Sequence, residues 1–95
     1  MTPEEILENN GYDLDAMNQD NVILFRNPDY ADAIVGVSYS GTHVIYDYEK
    51  MLDFLVKYEN MTYDEAMDFV NYNLSFSCDG NMPIVMYPLE QEVSL

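Results

Sequence analysis

The stretch AIVGVSYSGTHVIYDYEKMLDFLV, residues 33–56, predicts two strands that meet at a tight turn and run directly into a helix. Ser40-Gly41 has the two-residue, Gly-containing form that suits a hairpin turn, with Tyr39 paired with Thr42. This register gives the hairpin two faces. The predicted core face carries Val35, Val37, Tyr39, Thr42, Val44 and Tyr46, and the opposite face carries Ile34, Gly36, Ser38, His43 and Ile45.

The helix after the hairpin has both a start signal and an apolar stripe. Asp47 is a suitable N-cap for a helix that begins at Tyr48. A helical period predicts a core-facing stripe of Tyr48, Met51, Leu52, Leu55 and Tyr58. Lys50, Asp53 and Lys57 then form an outer face of mixed charge.

The N-terminal third predicts one helix and one strand. Thr2-Pro3-Glu4-Glu5 is a capping box with proline in the first helical turn, so a short helix runs to about Asn10 and ends at Gly11. Residues 12–21 predict an irregular turn or a short helix. The apolar residues 22–25 predict a first strand, bounded by Asn21 and by Asn27-Pro28.

The C-terminal third predicts a helix, a turn and an edge strand. Thr62-Tyr63-Asp64-Glu65 is a second capping box, which starts a helix at Tyr63 that ends near Tyr72. Its core-facing residues are Tyr63, Ala66, Phe69, Val70 and Leu74. Asp79-Gly80-Asn81 predicts a turn. Residues 82–87 predict a last strand, and Pro83 and Pro88 favour an edge of the sheet for it.

Together these elements predict an α+β fold over residues 1–95 as one domain. A small antiparallel sheet, made of the hairpin and two further strands, packs against two to three helices in the order α-β-β-β-α-α-β. Residues 1–21 form an N-terminal helix and turn, and residues 89–95 form a loose tail.

The charge of the chain is its most unusual property. Eighteen Asp and Glu residues stand against Arg26, Lys50 and Lys57, a net charge of −15, where small soluble domains usually have a magnitude of about 2 to 8. This excess opposes compaction by self-repulsion, so we expect it to have a use. The alternatives are a halophilic origin and a charge that serves solubility only.

Several classes of protein are excluded or disfavoured by composition. The single cysteine, Cys78, rules out an internal disulfide and favours a reducing cytoplasm, and neither a signal peptide nor a membrane span is predicted. Three basic residues are too few to neutralise phosphates, so direct nucleic-acid binding is not expected.

The residues also predict no enzyme, no metal site and no cofactor. His43, the one histidine, faces away from the predicted core and is expected to be a surface residue. Asp13-Leu14-Asp15 and Asp79-Gly80-Asn81 both lack the remaining ligands of a calcium loop.

The acid itself supplies the candidate partner-binding residues. On the helix from Tyr63, the like charges of Asp64 and Asp68 stand four residues apart, a spacing that costs a few tenths of a kcal/mol of helix stability. A solvated face is the alternative interpretation. The full candidate set is Asp64, Glu65, Asp68 and Asn71 on that helix, Asp29, Tyr30 and Asp32 in the loop after the first strand, and thirdly the acids between Glu4 and Asp20.

Several segments carry a resemblance. They are Asn27-Pro28-Asp29-Tyr30, Ala33-Ile34-Val35-Gly36-Val37-Ser38, Val44-Ile45-Tyr46-Asp47-Tyr48-Glu49-Lys50-Met51, Met61-Thr62 with Asp64-Glu65-Ala66, and Pro83-Ile84-Val85-Met86-Tyr87. Over about two-thirds of its length the chain resembles a group of small acidic proteins from Gram-positive bacteria and their mobile elements, a group that implies no function. In size and charge only, it is similar to phage anti-CRISPR proteins that mimic nucleic acid.

The expected function follows from the sign of the charge. A folded acidic surface can enter the basic groove of a nucleic-acid-binding protein, with carboxylates in place of phosphates. We therefore expect a monomeric inhibitor that occupies the DNA or RNA site of a basic partner, in the first place an RNA-guided nuclease, with a phage or mobile element as its source. The alternative is a regulatory or housekeeping binding module whose acidity serves solubility only.

Overall fold

The fold was obtained as a computed structural model, which describes residues 1–74 and 81–89. Within these ranges it is an α+β fold, as expected, with four helices and a three-stranded sheet. The elements in chain order are α1 (Pro3–Asn9), α2 (Leu14–Gln19), β1 (Ile34–Val37), β2 (Val44–Asp47), α3 (Tyr48–Tyr58), α4 (Tyr63–Leu74) and β3 (Ile84–Met86).

The sheet is mixed, so the prediction of an antiparallel sheet is wrong. The strand order is β1-β2-β3; β1 and β2 pair antiparallel, whereas β3 lies parallel to β2. The parallel pairing arises because α3 and α4 carry the chain back before β3 begins, in the manner of a crossover connection. The edge position predicted for the last strand is confirmed.

The hairpin register is confirmed near the turn and changes at a bulge. Val37 pairs with Val44 and Gly36 with Ile45, as the sequence predicts, but the register shifts between Gly36 and Ile34. The extra residue in β1 is Val35, which is exposed where a core position was predicted, and Ile34 packs against the core instead.

The turn is longer than the predicted two residues. The Gly41 N–H donates to the Ser38 carbonyl at 2.8 Å, and the Ser38 N–H donates to the His43 carbonyl at 2.8 Å. Gly41 has a φ of 76°, a conformation that glycine adopts without strain. The pair expected between Tyr39 and Thr42 is therefore replaced by a loop, and Tyr39 is fully exposed at its tip.

The helix α3 forms the centre of the packing, and its N-cap is confirmed. The Asp47 carboxylate, itself buried, accepts the Lys50 N–H at 3.2 Å. The predicted stripe is buried at Tyr48, Met51, Leu52 and Leu55. Tyr58, predicted to complete that stripe, is largely exposed because it lies in the last turn of the helix.

The N-terminal segment has two helices and no strand. The capping box of Thr2 and Glu5 begins α1, and the Asp13 carboxylate caps α2. Residues 22–25, predicted as a strand, make one bridge, between Val22 and Asn81. Side chains hold this segment instead: the Phe25 N–H donates to the Tyr46 hydroxyl at 3.2 Å, and the two rings lie 4.7 Å apart.

The predictions for the C-terminal third fall partly on residues that the structure describes and partly on residues outside them. The second capping box is confirmed, and α4 extends to Leu74 rather than ending near Tyr72. The turn predicted at 79–81 and the tail predicted at 89–95 lie largely outside the described residues, and Cys78 lies wholly outside them. Each helix in the described ranges is too short or too polar to span a bilayer.

Candidate functional site

The outer face of α4 carries the first group of candidate residues. Ala66 and Val70 are the buried positions of this helix. At about 100° per residue, Asp64 and Asp68 point to the opposite side, and both are exposed, as is Glu65 between them. The predicted acidic face therefore exists on the surface of the fold.

These three acids differ in their local bonding. The Glu65 carboxylate accepts the Thr62 N–H at 3.0 Å, a bond that lowers the pKa of the Glu65 carboxyl. Asp64 lies in the first turn, where the helix dipole favours negative charge, and Asp68 lies beyond that turn. Asp68 is consequently the acid for which the helix itself offers no compensation.

Ion pairs among the described residues neutralise little of the negative charge. In residues 1–74 and 81–89 the single ion pair joins Arg26 to Glu4, with 2.6 Å between Nη2 and Oε1, and it lowers the pKa of the Glu4 carboxyl. Within the same ranges, only Glu4, Asp29 and Asp47 among the acidic residues are less than exposed. The negative charge is therefore presented to solvent rather than neutralised within the fold.

Tyrosines border the acidic face, and most were not identified from the sequence. The Tyr48 hydroxyl donates to the Asn71 side-chain oxygen at 2.8 Å, and the Tyr48 ring meets that of Tyr87 edge-on at 4.9 Å. Burial, with a smaller effect of Tyr87, raises the pKa of Tyr48. Asn71 is thus exposed but already bonded, and it connects α4 to Tyr48 at the start of α3.

Three tyrosines on or beside α4 are largely exposed, at 52% for Tyr63, 68% for Tyr72 and 72% for Tyr87. The prediction that Tyr63 faces the core is wrong, because the first turn of α4 extends past the packed part of the helix. We use the name α4 surface for the set formed by Tyr63, Asp64, Glu65, Asp68, Asn71, Tyr72 and Tyr87.

The second group of candidates does not form a surface cluster. Tyr30 is 4% exposed, with its ring 5.7 Å from that of Phe25 and 5.6 Å from that of Phe54, so its assignment as a contact residue is wrong. Its backbone is left-handed, with a φ of 50°, and the apolar ring contacts offset the cost of that conformation. Tyr30 is a core residue that fixes the loop against α3.

The two acids of that group are separated from each other and from the α4 surface. Asp29 is half-buried and accepts the Ala31 N–H at 3.0 Å, whereas Asp32 is exposed and accepts the Tyr58 hydroxyl at 3.2 Å. Asp29 lines a cleft of about 580 Å³ together with Phe69 of α4. Phe69 points to a different side of α4 from Asp64 and Asp68, so the structure does not join the two groups.

The third group, the acids between Glu4 and Asp20, is partly structural. Glu5 closes the first capping box, Asp13 caps α2, and Glu4 pairs with Arg26. Glu8, Asp15 and Asp20 are exposed. The sequence-level count of acids therefore overstates what this segment offers to a partner.

His43 makes a tertiary contact, and the acidic side chains were also compared with the requirements of a metal site. The His43 Nδ1 atom lies 2.8 Å from the Met82 carbonyl and is only partly exposed, so this side chain joins the hairpin to the segment before β3. Within residues 1–74 and 81–89, His, Cys, Asp and Glu side chains form no group of three or more that could hold a metal ion.

Comparison of the chain with protein-family models, curated proteins and solved structures found no match. The resemblance to small acidic proteins of Gram-positive bacteria and mobile elements, and the likeness to anti-CRISPR proteins, stay predictions.

Proposed function

We propose that this protein is an acidic interaction protein that binds a basic partner through the α4 surface and excludes nucleic acid from it. The observation that carries the proposal is the exposure of Asp64, Glu65 and Asp68 on one helix with no basic residue along it. A surface of one sign attracts a partner of the other sign and raises the rate of encounter.

The geometry of the α4 surface supports a nucleic-acid site as the target. Asp64 and Asp68 lie on one side of α4, roughly 6 Å apart along the helix axis, and so present two negative charges in a row, as a nucleic-acid backbone does. Lys and Arg side chains that pair with phosphates would also pair with these carboxylates. The exposed rings of Tyr63, Tyr72 and Tyr87 offer faces on which Arg side chains can stack.

The finer form of the proposal concerns the partner and the source. An RNA-guided nuclease reads a short duplex motif with arginines, and the α4 surface has the charge to occupy them. The likeness in size and charge to anti-CRISPR proteins supports a phage or mobile-element inhibitor that acts without catalysis in the bacterial cytoplasm. The alternative is a regulatory or housekeeping binding module whose acid maintains solubility.

Charge reversal on α4 tests the proposal against that alternative. The tagged chain is used to capture proteins from nuclease-treated bacterial lysate, and captured proteins are then competed with duplex DNA. Asp64→Lys/Asp68→Lys should lose the captured partner, and Asp64→Asn/Asp68→Asn should weaken it less, while both variants keep the fold.

The matched control is α3, where Asp53 lies between Lys50 and Lys57 on an exposed face. Asp53→Asn and Asp53→Lys should leave capture unchanged. Capture of no nucleic-acid-binding protein, or equal capture by the parent and the double Lys variant, would contradict the proposal and favour the solubility interpretation.

A further inference from the structure

A cleft separates residues 26–29 from the segment that joins α3 to α4. Residues 26–29 form one wall, and Phe54, Glu59, Met61 and Phe69 form the other. The volume of about 580 Å³ lies within the range of pockets that hold small ligands. The residues of the α4 surface do not line this cleft, so it is a separate place on the fold.

The apolar part of the cleft consists of two phenyl rings and a thioether. Phe54, Met61 and Phe69 are partly buried and pack against the core. Other rings hold that of Phe54, with centres 5.6 Å away for Tyr30 and 4.7 Å away for Tyr58. The faces of aromatic rings attract cations, and the methionine side chain adapts its shape to what it contacts. These residues therefore suit a cation that has an apolar stem.

Each wall also brings a carboxylate to the cleft, from Asp29 on one side and Glu59 on the other. Asp29 Oδ1 accepts the Ala31 N–H at 3.0 Å, but a carboxylate has about four acceptor sites, so Asp29 retains capacity for another donor. Burial chiefly, and the charge of Glu59 in addition, raise the pKa of Tyr30 to about 12. The charge of exposed Glu59 therefore reaches the loop that carries Asp29.

Arg26, the one basic residue among the described residues that line the cleft, is already paired. Its Nη2 atom lies 2.6 Å from Oε1 of Glu4, which is not a lining residue. The charge of Arg26 is thus offset from outside the cleft, whereas Asp29 and Glu59 are not neutralised by any ion pair among the described residues. The cleft is therefore negative, and a cation is its complementary ligand.

We propose that this cleft binds the guanidinium group of an arginine side chain from a protein partner. A guanidinium group is planar and weakly hydrated, stacks on aromatic rings and donates hydrogen bonds to carboxylates, while its methylene stem packs against apolar side chains. The ammonium group of lysine is more strongly hydrated and has no planar face, so arginine is the better fit. The inference does not rest on the function proposed for the α4 surface.

The test uses the full chain and a blocked peptide, acetyl-Gly-Arg-Gly-amide, with binding followed through the side-chain chemical shifts of Phe54, Met61 and Phe69. The arginine peptide should shift these signals in a saturable way. The same peptide with citrulline, which keeps the shape of arginine but has no charge, should bind at least about tenfold more weakly. The lysine peptide should bind about threefold more weakly, and methylguanidinium, which lacks the stem, about tenfold more weakly.

Variants separate the cleft from the general attraction of an acidic protein for a cation. Asp29→Asn, which keeps an oxygen for the Ala31 N–H, should weaken the arginine peptide about tenfold. Glu59→Gln and Phe69→Leu should each weaken it about threefold. Glu49→Gln is the matched control, because it removes one exposed charge at the opposite end of α3 and should leave the affinity unchanged.

Equal binding of the arginine and citrulline peptides would overturn the inference, and so would equal losses in Glu49→Gln and Glu59→Gln, since general attraction would then account for binding. Equal affinity for methylguanidinium and the arginine peptide would assign the cleft to a free cation instead of a side chain. Shifts of the same signals with acetate and none with the arginine peptide would show that Arg26 makes the cleft an anion site.

Discussion

Removal of the Tyr46 hydroxyl offers a quantitative test of how the core holds the N-terminal segment. Tyr46 is fully buried, and its hydroxyl accepts the Phe25 N–H from residues 22–25, which have little other backbone pairing. In Tyr46→Phe that N–H loses its acceptor. Because Phe25 is only partly buried and water can reach it in part, we expect a loss of about 1 kcal/mol at pH 7.

The destabilising effect of the same substitution should disappear in alkali. Burial raises the pKa of Tyr46 to about 12, from about 10 in the unfolded chain. The contribution of the protonated Tyr46 hydroxyl to the free energy of unfolding is therefore complete below pH 10. It is lost as the pH rises toward 12, because the hydroxyl releases its proton at a lower pH in the unfolded chain than in the folded one. At pH 11 this loss is about 1.4 kcal/mol. Tyr46→Phe has no hydroxyl to titrate at this position and does not undergo this loss. The difference in unfolding free energy between parent and variant, about 1 kcal/mol at pH 7, should therefore close at pH 11.

The measurement is urea unfolding of both proteins at pH 7 and pH 11, read by circular dichroism. Tyr39→Phe is the control. Because Tyr39 is fully exposed, this substitution should leave the free energy of unfolding unchanged at both pH values. If parent and Tyr46→Phe lost the same free energy between the two pH values, the hydroxyl would not be buried in the core. The hydrogen bond to Phe25 is tested separately, by the difference in unfolding free energy between the two proteins at pH 7.

Further predictions concern the cap, the α4 charges, salt and assembly. Asp47→Ala removes the α3 cap and should cost about 1–2 kcal/mol by thermal unfolding, with most of the loss restored in Asp47→Asn. Asp68→Asn should raise stability by a few tenths of a kcal/mol, and Asp64→Asn by less, because Asp64 also loses its favourable position in the first turn. Added salt should stabilise the protein, since shortening the Debye length from about 30 to 8 Å screens repulsion among its acids. Light scattering at physiological salt should give a monomer of 11.0 kDa, and twice that mass would contradict the prediction.

Local signals account for what could be predicted of the fold. Both capping boxes, the Asp47 cap and the near-turn register depend on residues within a few positions of one another, so the sequence alone indicates them. The bulge at Val35 has no such signal, because a single added residue leaves the apolar pattern of β1 unchanged. The parallel position of β3 depends on contacts between distant segments, which periodicity does not report.

The candidate site shows the same division between local and long-range information. The helical period alone indicates that Asp64 and Asp68 are exposed, and the structure agrees. The place of Tyr87 beside Tyr48 could not be predicted, because it depends on the β2–β3 pairing. Tyr30 was misassigned because two flanking acids indicate a surface loop, whereas apolar contacts with Phe25 and Phe54 bury its ring.

Some acidic residues of this fold cap helices, and Asp68 does not. Glu5, Asp13, Asp47 and Glu65 satisfy backbone N–H groups at the starts of the four helices, so the fold itself explains their presence. Asp68 caps no helix and belongs to no ion pair among the described residues, and its spacing from Asp64 costs stability. A charge kept for solubility alone could stand at any exposed position without that cost. The placement of Asp68 four residues after Asp64 therefore favours a face shaped for a basic partner, and the double charge reversal is the substitution that separates binding from folding.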